Sequence, residues 1–206
     1  PFDPPRDFAP VGTIGINRFV LVVHPSVPAT TLAELVALAK ARPGQLNYGS
    51  SGSGGISHVG IETFKMLTGT NMVHVPYRGA GPALSDGIAG HYQVAMWTPL
   101  AVAGHVAGPA RLPALPEVPT FAEAGMPEYD KKSWFGIFAP LGTPGAILDR
   151  LGNEIRLMLA APAMREVMAR QGVEPFLSTP AEMTAMLRAD TEELRRVIQA
   201  AAIRMD

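Results

Sequence analysis

Cysteine is absent from the 206 residues. Disulfides, Cys-ligated zinc and thiol catalysis are therefore excluded, while the compartment stays open. Charge is also scarce: only 17% of residues are charged, and 17 Lys+Arg against 18 Asp+Glu leave a formal net charge of −1. A nucleic-acid binder needs a clustered basic surplus to replace phosphate counterions, so nucleic acid is excluded as a partner. No polybasic segment addresses an anionic membrane. No run approaches the roughly 18 uninterrupted apolar residues of a membrane span, which argues against direct membrane insertion. The opening Pro1-Phe2-Asp3-Pro4-Pro5-Arg6 lacks the basic and apolar regions of a signal peptide. It reads as a loop entering a fold already under way, so the chain looks cropped at its start. What is present is a packed protein: 47% hydrophobic residues, with 21 Gly and 20 Pro as punctuation, enough for one large or two small domains.

Pro and Gly divide the chain into α/β units. Phe19 to His24 is a continuous apolar, β-branched run that suits a buried strand, closed by Pro25 and Pro28. Thr31-Leu32-Ala33-Glu34 has capping-box spacing and predicts a helix to Ala41, stopped by Pro43-Gly44. A strand at Leu46-Asn47-Tyr48 leads into a Gly/Ser loop, Gly49 to Gly55, and then a helix from Ile56 to Leu67. Met72 to Val75, a helix at Pro82 to Ile88 and a strand at Gln93 to Met96 continue the alternation at the spacing of parallel βαβ units. Gly104 to Pro119 reads as loop or linker, and Thr120 caps one short helical turn. Ser133 to Ala139 is a strong strand. The remainder reads as helical, with Thr143-Pro144 as N-cap and N1, a restart at Pro162, and Thr179-Pro180-Ala181-Glu182 opening the last helix. Met183, Met186, Leu187, Leu194, Val197 and Ile198 fall broadly on one face of that helix. A methionine stripe also suits a partner surface, but this spacing favours the core.

The loop Gly49-Ser50-Ser51-Gly52-Ser53-Gly54-Gly55 carries the most chemistry. It follows a strand and opens a helix, whose first amides are unpaired donors with a partial positive charge. Glycines bring more amides close, and serine hydroxyls add bonds without charge, making a place for a carboxylate or phosphate. A tight turn with no ligand fits the same residues. Named enzyme motifs fail: no lysine completes a Walker loop, Ser57 stands where a dinucleotide fingerprint needs glycine, and Ser53 spoils a nucleophile elbow at Ser51. His58 lies in the first turns of the following helix, where a capping or packing role stands beside a ligand-contacting one. The five histidines are scattered without ligand spacing, so no metal is expected. Val75-Pro76-Tyr77-Arg78-Gly79 also follows a strand, placing it on the same carboxyl edge as the Gly/Ser loop. Tyr77 offers a hydroxyl and a ring, and Arg78 a cation that is otherwise a plain solvated charge. Glu62 lies well down its helix and Asp86 on the next, and no nucleophile–base pair emerges at motif level. The residues favour binding over turnover, with no cofactor.

Six segments occur in register: Leu21 to Pro28, Leu46 to Gly54, Val73 to Gly79, Pro113 to Thr120, Glu123-Ala124-Gly125 and Ser133-Trp134-Phe135-Gly136. Together they resemble the solute-binding proteins of tripartite tricarboxylate transporters, the Bug or TctC family. The resemblance implies an α/β, two-lobed type II periplasmic-binding-protein-like fold (a Venus flytrap), here with the first lobe incomplete. It further implies a periplasmic protein that is not an enzyme, capturing a small carboxylate (a di- or tricarboxylate, acidic amino acid or aromatic carboxylate) between its lobes. Its partners would be that ligand and the transporter's membrane components. Carried over by motif, the ligand-binding residues would be Ser50, Ser51, Gly52, Ser53, Gly54, Ser57, His58, Tyr77, Arg78 and Thr98. Arg78 stands where the family commonly has Lys, and Arg grips a carboxylate in bidentate fashion.

Three departures accompany the resemblance. The family's first strand and Pro-Pro-Gly-Gly loop precede the point where this chain starts. Trp97-Thr98 replaces the usual Asp or Asn after Val94-Ala95-Met96. A strand like Leu-Arg-Ala-Leu-Ala-Val is missing between Gly108 and Pro109. The resulting expectation is a second lobe at residues 14–128 and a partial first lobe at 1–13 and 129–206, with crossings near Gly15-Ile16 and Tyr129-Asp130. Two other readings stand beside it: a non-binding or sensor remnant acting through protein–protein contacts, and a serine hydrolase using Ser51 or Ser53.

Overall fold

A computed structural model gives the fold and describes residues 4–102, 111–112, 115–116, 118–129 and 132–203. In chain order the elements are α1 (Pro4–Asp7), β1 (Phe8–Arg18), β2 (Val20–Val23), α2 (Leu32–Ala41), β3 (Asn47–Ser50) and α3 (Ile56–Thr68). Then come β4 (Val73–Pro76), α4 (Ala80–Ile88), β5 (Val94–Trp97), α5 (Pro99–Val102), β6 (Arg111–Leu112), β7 (Leu115–Pro116) and β8 (Lys132–Pro140). The chain closes with α6 (Gly145–Ala160), α7 (Pro162–Arg170), β9 (Glu174–Pro175) and α8 (Pro180–Ala200). No helix among the described residues is long and apolar enough to cross a membrane.

Two compact units emerge, one formed by Pro1–Arg18 with Lys132–Glu193 and the other by Phe19–Lys131 with Leu194–Asp206. The first is built on a three-stranded antiparallel sheet in the order β8-β1-β9. Its spine is β1, which carries Pro10, Gly12 and Gly15 and no clean alternation, so nothing in its local pattern marks it as a strand. Pairing with β8, more than a hundred residues away, makes it a strand, and bulges after Pro10 and Thr13 absorb the irregular residues. Gly15 and Ile16 sit within this ladder opposite Phe135 and Trp134, and the pairing runs on to Arg18 opposite Lys132. Thr13 is fully buried and donates its hydroxyl to the Phe176 carbonyl at 2.8 Å. Trp134 donates its indole N–H to Asp190 Oδ2 of α8 at 2.6 Å.

Thr143 does not cap α6: Pro144 occupies the N-cap position, and the Thr143 hydroxyl turns back to the Pro140 carbonyl at 2.8 Å. The α8 box does form, with Glu182 N–H on Thr179 Oγ1 and Thr179 N–H on Glu182 Oε2. The methionine stripe of α8 lies inward, with Met183 and Val197 buried and Met186, Leu187, Leu194 and Ile198 half-buried.

The second unit holds a four-stranded sheet in the order β2-β5-β3-β4. β3 runs parallel to β4 and β5, but β2 pairs antiparallel with β5, so the sheet is mixed rather than wholly parallel. Local patterning shows that a strand exists and not which way it runs. Residues of β5 alternate between two cores: Val94 and Met96 join Leu35, Tyr48, Ile61 and Phe64 on one face, and Ala95 and Trp97 join Ala83 and Tyr92 on the other. Burying each large apolar side chain contributes about 1.5–3 kcal/mol. Gly49 is needed where it stands, because a Cβ there would run into the Tyr92 ring. The segment expected as linker forms a two-stranded hairpin where described, β6 with β7. The departure placed between Gly108 and Pro109 lies outside the described residues.

Candidate functional site

The parallel strands β3, β4 and β5 end on one edge of the second unit's sheet, with Ser50 level with Pro76 and Gly49 level with Ala95. Three of the expected segments therefore share that carboxyl edge: the Gly/Ser loop after β3, Tyr77-Arg78-Gly79 after β4, and Thr98 after β5. Gly49 and Ser50 belong to the strand, leaving Ser51–Gly55 as the loop proper. The loop is stitched to the neighbouring turn by Tyr77 N–H on the Ser50 carbonyl (3.0 Å) and Gly79 N–H on the Ser51 carbonyl (3.1 Å). Gly54 takes φ +75°, a backbone state that glycine enters without strain.

Much of the loop's donor capacity is spent internally. Ser51 N–H donates to Ser57 Oγ, Gly52 N–H to Ser50 Oγ, Gly54 N–H to His58 Nδ1 at 3.0 Å, and Gly55 N–H to the Gly52 carbonyl. Ser50, Ser57 and His58 are buried and serve the loop itself. Ser53 makes no hydrogen bond to the described residues, and the N-cap of α3, Gly55, provides no side-chain cap. The amides of the first α3 turn thus lack the intrahelical partners that later residues have. Arg78 is exposed and makes no ion pair with the described residues. Tyr77 is half-buried and donates its hydroxyl to Asp86 Oδ2 at 2.9 Å. Partial burial, that bond and the Asp86 charge push the phenol up to about 12, so it stays protonated.

Beneath the loop lies a polar cluster that sequence spacing did not reveal. His58 of α3 and His74 of β4 stack with ring centroids 3.7 Å apart, and Tyr48 stacks on His74 at 4.9 Å. Tyr48 donates to Glu62, which also takes Lys65 Nζ at 2.6 Å. Glu62 therefore does lie well down its helix, yet the sheet brings Tyr48 to it. Burial, followed by the charge of His58, lowers His74 from its ordinary 6.5 to about 4. Burial also lowers His58. The signal available in the sequence was His74 standing level with Tyr48 in adjacent parallel strands, legible only once their register is known.

The hydrolase reading loses its geometry here. Ser51 Oγ meets Ser57 Oγ at 3.3 Å, and neither Ser51 nor Ser53 has a histidine or carboxylate in reach among the described residues. The serine that does meet a histidine is Ser50, 2.6 Å from His74 Nε2, and it is wholly buried from substrate. No group of three metal-ligating side chains occurs among the described residues. A cavity of about 520 Å³ in the first unit, lined by β1, α6 and the start of α8, contains none of the expected site residues.

A mixed α/β sheet with loops gathered on its carboxyl edge is shared by many folds, and solved structures that match the chain throughout, one of them a periplasmic transporter, give it the class of the periplasmic binding proteins. The chain belongs to TctC, the tripartite tricarboxylate transporter family receptor, which matches residues 1–203. It is 31% identical to a UPF0065 protein from the tcbD-tcbE intergenic region of Pseudomonas sp. strain P51, covering 96% of this chain and 62% of that protein. It is also 31% identical to Protein BugT of Bordetella pertussis, covering 97% and 64% respectively. Among solved structures, R. palustris Rpa4515 with adipate superposes with a TM-score of 0.80 at 33% identity, over 98% of this chain and 71% of that one. A structure of a periplasmic transporter gives 0.82 at 33%, over 100% and 72%. The chain thus spans a little under two thirds of the length of these curated relatives.

Proposed function

We propose that this chain captures a small carboxylate in the periplasm and presents it to the membrane components of a tripartite tricarboxylate transporter, without covalent chemistry. The observation that carries this reading is the gathering of three segments on one sheet edge: the loop opening the uncapped α3, the Tyr77-Arg78 turn, and Thr98. Unpaired amides and a free guanidinium suit a carboxylate, and the relative solved with adipate supports a dicarboxylate. In this reading Ser53, the first α3 amides and Arg78 meet the anion. Tyr77 and Thr98 add polar contacts, while Ser50, Ser51, Gly52, Gly54, Ser57 and His58 hold the loop.

Calorimetric titration with adipate, shorter dicarboxylates, citrate and acidic amino acids tests the proposal. Heat of binding to at least one, lost on Arg78→Ala, is the expected result. Silence across that panel together with tight binding of a sugar or cation overturns it, and silence throughout favours a chain that acts only through protein contacts.

A further inference from the structure

We infer that the His58–His74 stack is a proton-sensitive latch for the Gly/Ser loop: proton uptake at His58 Nδ1 displaces the Gly54 amide and loosens the loop. The inference deepens the carboxylate-binding reading and rests on it for its biological meaning, but its physics is confined to the loop.

One hydrogen bond sets the latch. Gly54 N–H donates to His58 Nδ1 at 3.0 Å, so that nitrogen is bare and the neutral ring carries its proton on Nε2. A second proton has one place to go, Nδ1, where it would face the Gly54 N–H across the same gap. Two donors cannot share that contact, so the loop gives up the bond that fixes its glycine at φ +75°. The stack compounds the effect. Ring centroids only 3.7 Å apart leave no room for solvent between His58 and His74, and two imidazoliums there repel strongly. His74 is tied to the same loop from beneath, since its Nε2 meets Ser50 Oγ at 2.6 Å while that oxygen accepts Gly52 N–H at 3.3 Å.

The groups facing the pair do not rescue its charge. From β3 come the Tyr48 phenol and Ser50. From α3 come the Glu62 carboxylate, which favours a protonated ring, and the Lys65 ammonium, which opposes it. Glu62 is already engaged by Tyr48 and Lys65, so it is not free to clasp an imidazolium. Burial, the largest influence on both rings, keeps them neutral at neutral pH. The latch is therefore shut near neutrality and opens as pH falls below the ordinary histidine value of 6.5.

The test uses the ligand-free chain, because acid also protonates a carboxylate probe and would confound binding. Nuclear magnetic resonance of the imidazole nitrogens and hydrogen exchange at Gly54 are followed from about pH 7.5 to about pH 4.5. The expected result is a bare Nδ1 on His58 at the neutral end. Gly54 protection, corrected for intrinsic exchange, should then fall about tenfold per pH unit as pH approaches the His58 midpoint from above, and level off below it. His58→Asn keeps an acceptor near the Nδ1 position but cannot titrate. It should hold Gly54 protected into acid and move the His74 midpoint upward from about 4. A protonated Nδ1 at neutral pH, or wild-type Gly54 protection that ignores the His58 midpoint, overturns the latch. The outcomes are separable: absence of adipate binding at neutral pH sinks the binding reading, whereas a pH-indifferent Gly54 sinks the switch.

Discussion

Helices α2 and α3 both follow a strand-terminal turn, yet they begin in opposite ways. α2 starts with a complete capping box, in which Thr31 accepts Glu34 N–H and Glu34 accepts Thr31 N–H. α3 starts at a glycine with no side-chain cap and no acid in its first turn. Their burial is inverted too. α2 buries only Leu35 and Ala39, whereas α3 buries every residue from Ser57 to Phe64. A helix held by packing along its length tolerates a bare start, and one lying on the surface relies on its cap. The open end of α3 is thus made possible by its core, which lets the first-turn backbone donors go uncapped without unravelling the helix.

The largest effect expected from this contrast is on the core. Phe64→Ala should cost about 3–5 kcal/mol in urea-induced unfolding, because Phe64 is wholly buried against Tyr129 and the sheet. A loss below about 1 kcal/mol would show that packing does not hold α3. Next comes Ser53→Asp, which puts a carboxylate beside the bare helix start. Adipate affinity should fall about tenfold while thermal stability holds or rises slightly. Unchanged affinity would remove the α3 start from the site.

Thr31→Ala should behave conversely, losing about 1 kcal/mol of stability with adipate affinity intact. The smallest effect is Glu34→Gln. Hydrogen bonds from Thr30 and Thr31 hold the Glu34 carboxyl below its ordinary 4.5. A depressed carboxylate contributes stability above its unfolded value, and this is lost as pH falls through the folded one. The wild type should therefore lose a little more stability than the Gln variant on acidification below 4.5. Parallel melting curves of the two proteins across that range would refute the assignment.

These elements also show how far local sequence reaches. The α2 box, the αβ alternation and the Gly/Ser loop were legible because each depends on residues a few positions apart. β1 was not, because Pro10, Gly12 and Gly15 break its pattern and its strand character comes from β8 and β9. The antiparallel course of β2 was hidden for the same reason. At the site, the sharing of one edge by the Gly/Ser loop and the Tyr77-Arg78 turn followed from reading strands in order, whereas Thr98 came only from the family resemblance. The stacking of His58 on His74 required the β3–β4 register, which places Tyr48 opposite His74. Spacing of 16 residues carries no such information.

The two tryptophans offer a last consequence. Trp134 belongs to the unit built on β1 and β8, with its indole tied to Asp190. Trp97 is buried in the other unit, next to Thr98 on the candidate edge. Each unit therefore carries its own fluorophore. Trp134→Phe and Trp97→Phe give single-tryptophan proteins in which emission reports on one unit at a time. Whether the halves melt together or in turn can then be read from light alone, with no label attached.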